Sequence, residues 1–302
     1  MGGELVLAIF GPTASGKSAV VRELGRRFPA EAISADSMQV YRGLSLLTNQ
    51  PAEPTRLVDI WPLDHEASVA EYQRLAHAAI DEALGAGVTP VVAGGTGLYL
   101  RAALSSLELP PPPEPGRREH WQDVYDHVGA ERAYALLAER DPASAASLHA
   151  NDRRRVVRAL ELTDVGRSLK PETDALWTAE TRHPTVLFGL TVPREELLRR
   201  IDTRTRAMFA AGVKAEVEAA LTGPISTTAR KALGLDEVAA LPASEAIEAV
   251  NVRTRRYAAY QRKWMRRIPG LVSVAGDRPP GDIADEIVEV VRARQHLPAG
   301  RG

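Results

Sequence analysis

The stretch Leu5-Val-Leu-Ala-Ile-Phe-Gly-Pro-Thr-Ala-Ser-Gly-Lys-Ser18 decides the fold. Its first six residues are an unbroken apolar run, as expected of a strand buried on both faces, and Gly11 to Ser18 fits G-x-x-x-x-G-K-[ST]. An amphipathic stretch from Lys17 to Arg27 follows, so the motif lies between a strand and a helix. There the glycines let successive backbone N–H groups face an anion, and the helix N-terminus adds partial positive charge. Gly11, Pro12, Thr13, Ala14, Ser15, Gly16, Lys17 and Ser18 are therefore expected to hold a diphosphate or triphosphate. Lys17 would neutralise its oxygens and Ser18 would ligate Mg²⁺. The bland alternative is a Gly-rich turn without a ligand. The loop does not say whether phosphate is transferred, hydrolysed or released as a leaving group, because each needs only charge stabilisation.

Outward from this loop the first hundred residues alternate strand and helix. Ala32 to Ala35, Leu57 to Ile60 and Val88 to Ala93 read as further strands, and Val69 to Leu84 as a helix stopped by Gly85 and Gly87. Continuous apolar strands separated by helices predict an α/β fold: a P-loop NTPase-like parallel sheet with helices on both faces. Five prolines in Leu109 to Pro115 mark a boundary, and helices alone are expected from Arg117 to about Thr181. Val186 to Val192 then returns as a buried strand. The predicted organisation is a catalytic core of residues 1–109 and 185–302, with C-terminal helices at Arg194 to Ala211, Ala215 to Leu221, Ser244 to Met265 and Asp282 to Arg294, interrupted by a helical insertion, 110–184.

Composition narrows the function classes. With 38 Lys+Arg against 39 Asp+Glu the net charge is −1, which excludes a protein basic throughout. No cysteine is present, which excludes a disulfide framework, a thiol nucleophile and Cys-ligated metal. The histidines are scattered without metal-ligand spacing, so no zinc site is expected. No apolar run is long enough to span a membrane, and a cytoplasmic location is expected.

Asp36, just past the second strand, would face the loop, since ligands gather at the carboxyl ends of parallel strands. Position alone leaves three readings: a helix N-cap, a Mg²⁺-directed carboxylate, or a general base. Two segments concentrate positive charge. Asn251 to Arg267 holds Arg253, Arg255, Arg256, Arg262, Lys263, Arg266 and Arg267 without an acidic residue, interleaved with Tyr257, Tyr260 and Trp264; Asn151 to Arg158 holds Arg153, Arg154, Arg155 and Arg158. Such runs read either as RNA-contacting surfaces or as solvated helix faces.

Gly11 to Ser18, Asp36-Ser-Met-Gln-Val-Tyr-Arg-Gly43, Gly94-Gly-Thr-Gly-Leu-Tyr99 and Asn151-Asp152 with Arg155, Arg158 and Ala159-Leu-Glu161 occur in this order. Together they resemble the tRNA isopentenyltransferase (tRNA dimethylallyltransferase) family over about residues 5 to 268. The resemblance implies transfer of a dimethylallyl group from dimethylallyl diphosphate to N6 of the adenosine 3′-adjacent to the anticodon, with diphosphate leaving and no ATP consumed. It implies that Lys17, Asp36, Thr96 and Arg204 are catalytic: Asp36 as the base, Arg204 on the leaving group, Thr13 and Thr96 along the channel where adenine and diphosphate meet. It implies tRNA contacts from Asp36, Ser37, Met38, Gln39, Thr96, Arg154, Arg155, Arg158, Arg262 and Arg266, the insertion gripping the anticodon stem-loop. Mg²⁺ is the implied cofactor, the anticodon stem-loop and dimethylallyl diphosphate the partners, and monomer the default state. The family's paired histidines before Leu57 are absent. Its Ile-Gly-Tyr-Lys-Glu is here Leu233-Gly-Leu-Asp-Glu237, and its Lys-Arg-Gln-x-Thr-Trp-Phe-Arg is Ala259-Tyr-Gln-Arg-Lys-Trp-Met-Arg266. These departures bear on RNA affinity rather than on the diphosphate pocket. Transfer to free AMP or ADP, a P-loop kinase acting on a small metabolite and a non-catalytic RNA-binding relative are the competing readings.

Overall fold

The structure is a computed structural model that describes residues 5–110, 114, 116–170 and 175–296. In chain order the elements are β1 (Val6–Phe10), α1 (Lys17–Gly25), β2 (Ala30–Ser34), α2 (Ser45–Thr48), α3 (Val69–Gly85), β3 (Thr89–Gly94), α4 (Gly97–Leu104), α5 (Arg117–Val128), α6 (Ala130–Arg140), α7 (Pro142–Ala145), α8 (Arg153–Thr163), β4 (Thr185–Thr191), α9 (Arg194–Ala210), α10 (Val213–Ala220), α11 (Leu235–Ala240), α12 (Ala243–Met265), β5 (Val272–Ala275) and α13 (Pro280–His296). They form two compact units, Met1–Ser106 with Leu176–Gly302, and Leu107–Ala175. Most of the proline run, 111–113 and 115, lies outside the described residues.

The first unit is built on a parallel five-stranded sheet of order β2-β3-β1-β4-β5. The apolar run at the start of the chain becomes its central strand: all five residues of β1 are buried, with Leu7 opposite Val91 on one side and Val186 on the other. Leu7, Ile9, Phe188 and Leu190 pack with Val20 and Leu24 of α1 and with Ile283, Ile287 and Val291 of α13. Ser68 caps α3 by accepting the Glu71 N–H at 3.1 Å, the Ser-x-x-Glu start that helix N-termini favour. A second apolar cluster joins Leu44 and Leu47 to Met208, Val213, Val217, Leu235, Val238 and Val250 of the C-terminal helices.

One expected strand is absent, and one strand was not expected. Leu57 to Ile60 is not a strand. Leu57 and Asp59 adopt left-handed backbone (φ 65° and 59°), and the segment touches β-structure only through isolated bridges, Ile33 with Arg56 and Tyr41 with Trp61. It is pinned instead to 39–42, Asp59 N–H on Gln39 O (2.9 Å) and Ile60 N–H on Val40 O (2.9 Å). Conversely β5 escaped the sequence reading because it is a four-residue edge strand in which only Val274 is buried, too short and too exposed for a periodicity signal.

The second unit is a helical cluster. Trp121, Tyr125, Ala133, Leu137, Val156, Val157 and Leu160 form its core. Asp141 caps α7, with Pro142 at the first helical position. Glu161 is almost wholly buried and accepts from both Arg118 (3.0 Å) and Arg158 (2.8 Å), the pairing a buried carboxylate requires.

Candidate active site

The phosphate loop follows β1 and turns into α1 at Gly16, whose φ of +95° a side chain would strain. At Gly11 the constraint is space: a Cβ would lie 2.7 Å from Ser15 Oγ and 3.3 Å from Leu190. Ala14 also takes a positive φ, 63°, and packs on the cluster of Val192, Leu197, Ile201 and Ala258. Pro12 O accepts the Ser15 N–H at 3.2 Å. Ser15 is buried and its hydroxyl has no partner within the protein. Ser18 is exposed on the first turn of α1.

Three charged groups converge here. Lys17 Nζ donates to Gly11 O (3.0 Å) and Pro12 O (2.9 Å). Burial pushes its ammonium down to about 8, Asp36 working against burial and Arg204 reinforcing it. Arg204, projecting from α9, donates to Thr13 Oγ1 at 2.7 Å, and burial lowers its guanidinium from the ordinary arginine value while Asp36 raises it. Asp36 accepts the Met38 N–H on Oδ1 (2.9 Å), an Asx turn that aims the carboxylate. Lys17, Arg204, Asp36 and Thr13 are thus one cluster.

The turn after β3 forms the opposite wall. Thr96 Oγ1 accepts the Ser37 N–H at 3.2 Å, lies 3.3 Å from Ser37 Oγ and 3.4 Å from Tyr257 Oη. Burial, with the Asp36 charge adding to it, pushes the Tyr257 phenol well up. The glycines of this turn answer to space: a Cβ at Gly94 would lie 2.1 Å from Ala35 O, one at Gly95 2.1 Å from Gln261 Nε2, and one at Gly97 2.1 Å from the Trp264 ring.

Sequence reading missed the extent to which α12 builds this site. Ala246, Val250, Thr254, Ala258 and Gln261 are its buried stripe, spaced at four, four, four and three residues. The polar Gln261 at a core position was the available signal. Its carboxamide accepts the Thr13 N–H (2.7 Å) and donates to Gly95 O (2.8 Å). The basic run on the same helix is divided by tertiary partners. Arg253 pairs with Glu237 (2.6 Å) and Arg255 with Glu248 (3.5 Å), whereas Arg256, Arg262, Lys263 and Arg266 have no ion pair among the described residues. Trp264 packs against Trp177 (ring centroids 4.8 Å apart), over which Arg267 stacks, while Tyr260 is 55% exposed.

Of the remaining expected contact residues, Gln39 is engaged locally, accepting from Ser34 Oγ (3.0 Å) and donating to Asn49 O (2.9 Å), and Met38 packs on the Leu44 cluster. Arg154 and Arg155 are exposed on α8 of the helical unit, where Arg158 pairs with Glu161 and Arg153 with Asp126. Among the described residues no three His, Cys, Asp or Glu side chains gather as a metal site, and no helix is long and apolar enough to cross a membrane.

A glycine-cradled loop between a central parallel strand and a helix, at the carboxyl end of the sheet, defines a P-loop NTPase-like α/β protein. A family model described as IPP transferase matches residues 39–268. A tRNA dimethylallyltransferase of Anaeromyxobacter dehalogenans is 40% identical over 292 residues, covering 92% of this chain and 94% of its own. Among solved structures, the tRNA delta(2)-isopentenylpyrophosphate transferase of Staphylococcus epidermidis superposes with a TM-score of 0.68 at 27% identity, over 96% of this chain and 99% of that one. A eukaryotic dimethylallyltransferase acting on tRNA superposes with a TM-score of 0.79 at 23% identity, over 99% of this chain and 81% of that one, and shares the fold. The chain belongs to the IPP transferase family.

Proposed function

We propose that this chain transfers a dimethylallyl group to tRNA, from dimethylallyl diphosphate to N6 of the adenosine immediately 3′ of the anticodon. The observation that carries the reading is the cluster of Lys17, Arg204, Thr13 and Asp36 between the phosphate loop and the Thr96 turn, a cationic side for a leaving diphosphate facing a carboxylate. The bond from C1 of the allyl group to the diphosphate oxygen breaks, its electron pair leaving with diphosphate, while a bond from C1 to N6 forms and N6 gives a proton to Asp36. An exocyclic adenine amine is a weak nucleophile, so a carboxylate accepting its proton assists. Lys17 and Arg204 stabilise the charge that develops on the leaving oxygens.

The residues present fit Mg²⁺. The exposed Ser18 hydroxyl is a single hard oxygen donor, and this ion is commonly held by few protein ligands together with substrate phosphates and water. Bound there, it would neutralise diphosphate charge. The acceptor lies in the anticodon stem-loop, whose phosphates would be contacted by the cations of α12 that have no ion pair among the described residues and by Arg154 and Arg155 of α8; a loop base is cheaper to extrude than one in a duplex.

The test is a transfer assay with purified protein, Mg²⁺ and labelled dimethylallyl diphosphate, offering an anticodon stem-loop RNA and free AMP in parallel. Label in the RNA is the expected result. Label in AMP alone would move the acceptor to a free nucleotide, and label in neither would overturn the reading.

A further inference from the structure

Gln261 carries a polar group that the chemistry above does not use. It is 2% exposed, on the helix whose outer face bears the exposed Arg256 and Lys263. Its oxygen takes the Thr13 N–H at 2.7 Å and its nitrogen donates to Gly95 O at 2.8 Å, so one amide closes a bridge between two loops that are otherwise about eighty residues apart in the chain. Only a side chain that donates and accepts at once can do this, and Gly95 is matched to it, since a Cβ there would lie 2.1 Å from Gln261 Nε2. One turn earlier on α12, Tyr257 reaches Thr96 Oγ1, which accepts the Ser37 N–H beside Asp36.

We propose that Gln261 is a positioning residue for the transfer: its carboxamide clips the phosphate loop to the Gly94–Gly97 turn and so sets the separation between the leaving-group side, Thr13 with Arg204, and the acceptor side, Thr96 with Asp36. The inference rests on the transferase reading. With the Thr13 N–H turned toward Gln261, the Thr13 hydroxyl is what meets Arg204 at 2.7 Å, so loss of the clip frees both the loop and the arginine that bonds it. Misplacement of reacting groups by about 1 Å can cost about a hundredfold in rate.

The test uses the full chain and two variants. Gln261→Met keeps length and packing volume without either hydrogen bond, and Gln261→Ala removes the side chain. Steady-state transfer to a stem-loop RNA, RNA affinity by fluorescence anisotropy and thermal melting are measured on the same preparations. The expected result is kcat lower by about tenfold or more in both variants, with RNA Kd within about twofold of wild type, because the exposed cations of α12 are untouched. A methionine variant with wild-type kcat overturns the proposal. So does a loss of RNA affinity as large as the loss of kcat, or failure of both variants to fold, since either would make Gln261 a packing residue of α12. A wild-type protein that labels no RNA would instead bring down the transferase reading, and this inference with it.

Discussion

At the scale of single residues, Lys17 ties function to a cost in stability. Its ammonium is lowered from 10.5 to about 8 by burial, against the pull of Asp36. Between those two values the unfolded chain holds a proton that the native lysine has released, so stability rises with pH across that window. Below about 8 the native state bears the full cost of a buried charge. Lys17→Met should therefore raise the melting temperature of the unliganded protein near pH 7, the gain shrinking as pH rises toward 10.5. Its turnover should fall by about a hundredfold or more. In the wild type, kcat/KM for the diphosphate donor should fall above about pH 8, because that ratio reports the free enzyme. A pH profile without this limb would remove Lys17 from diphosphate binding. Asp36→Asn keeps an oxygen for the Met38 N–H but loses the base, so single-turnover transfer should slow by about 10²-fold to 10⁴-fold with RNA affinity little changed.

At the scale of elements, the sheet end is shaped by contacts that a sequence pattern does not report. Gly94 closes β3 under Ala35 O, a backbone atom that cannot swing aside. Gly94→Ala should cost about 1–3 kcal/mol or more by overpacking and lower turnover as the Asp36 segment shifts, as denaturant melts and transfer rates would show. An unchanged denaturation midpoint would mean the two strands part without strain. Apolar run length was a sound guide where an element is buried on both faces, as in β1, and failed at Leu57 to Ile60. There an apolar and acidic tetrapeptide satisfies its backbone against 39–42 with two residues in left-handed conformation, an outcome of side-chain and backbone partners distant in sequence.

At the scale of the whole molecule, net charge excludes only a protein basic throughout, and the distribution of charge decides where RNA is expected to bind. Arg253 and Arg255 are committed to Glu237 and Glu248, so replacing either by alanine should leave the salt dependence of RNA binding almost unchanged. Replacing Lys263 or Arg266 should weaken binding and flatten the slope of log affinity against log salt by about 0.7–0.9 for each lost phosphate contact. Titrations of a stem-loop RNA across a salt series check this, and equal slopes in all four variants would place the RNA on another surface.

The apolar run of the central strand and the phosphate-loop spacing were legible in the chain because each is a local property: burial of a central strand demands continuous apolarity, and a loop that wraps an anion demands glycine and lysine at fixed intervals. The family motifs located Asp36, Thr96 and Arg204 without showing their distances. Only the tertiary structure decided that Arg253 of α12 pairs with Glu237, that Arg204 bonds Thr13, and that Gln261 joins two loops. Those facts depend on pairs of residues separated by up to 248 positions, whose meeting is set by how helices pack on the sheet; periodicity can put Gln261 on the buried face of α12 but cannot name its partners.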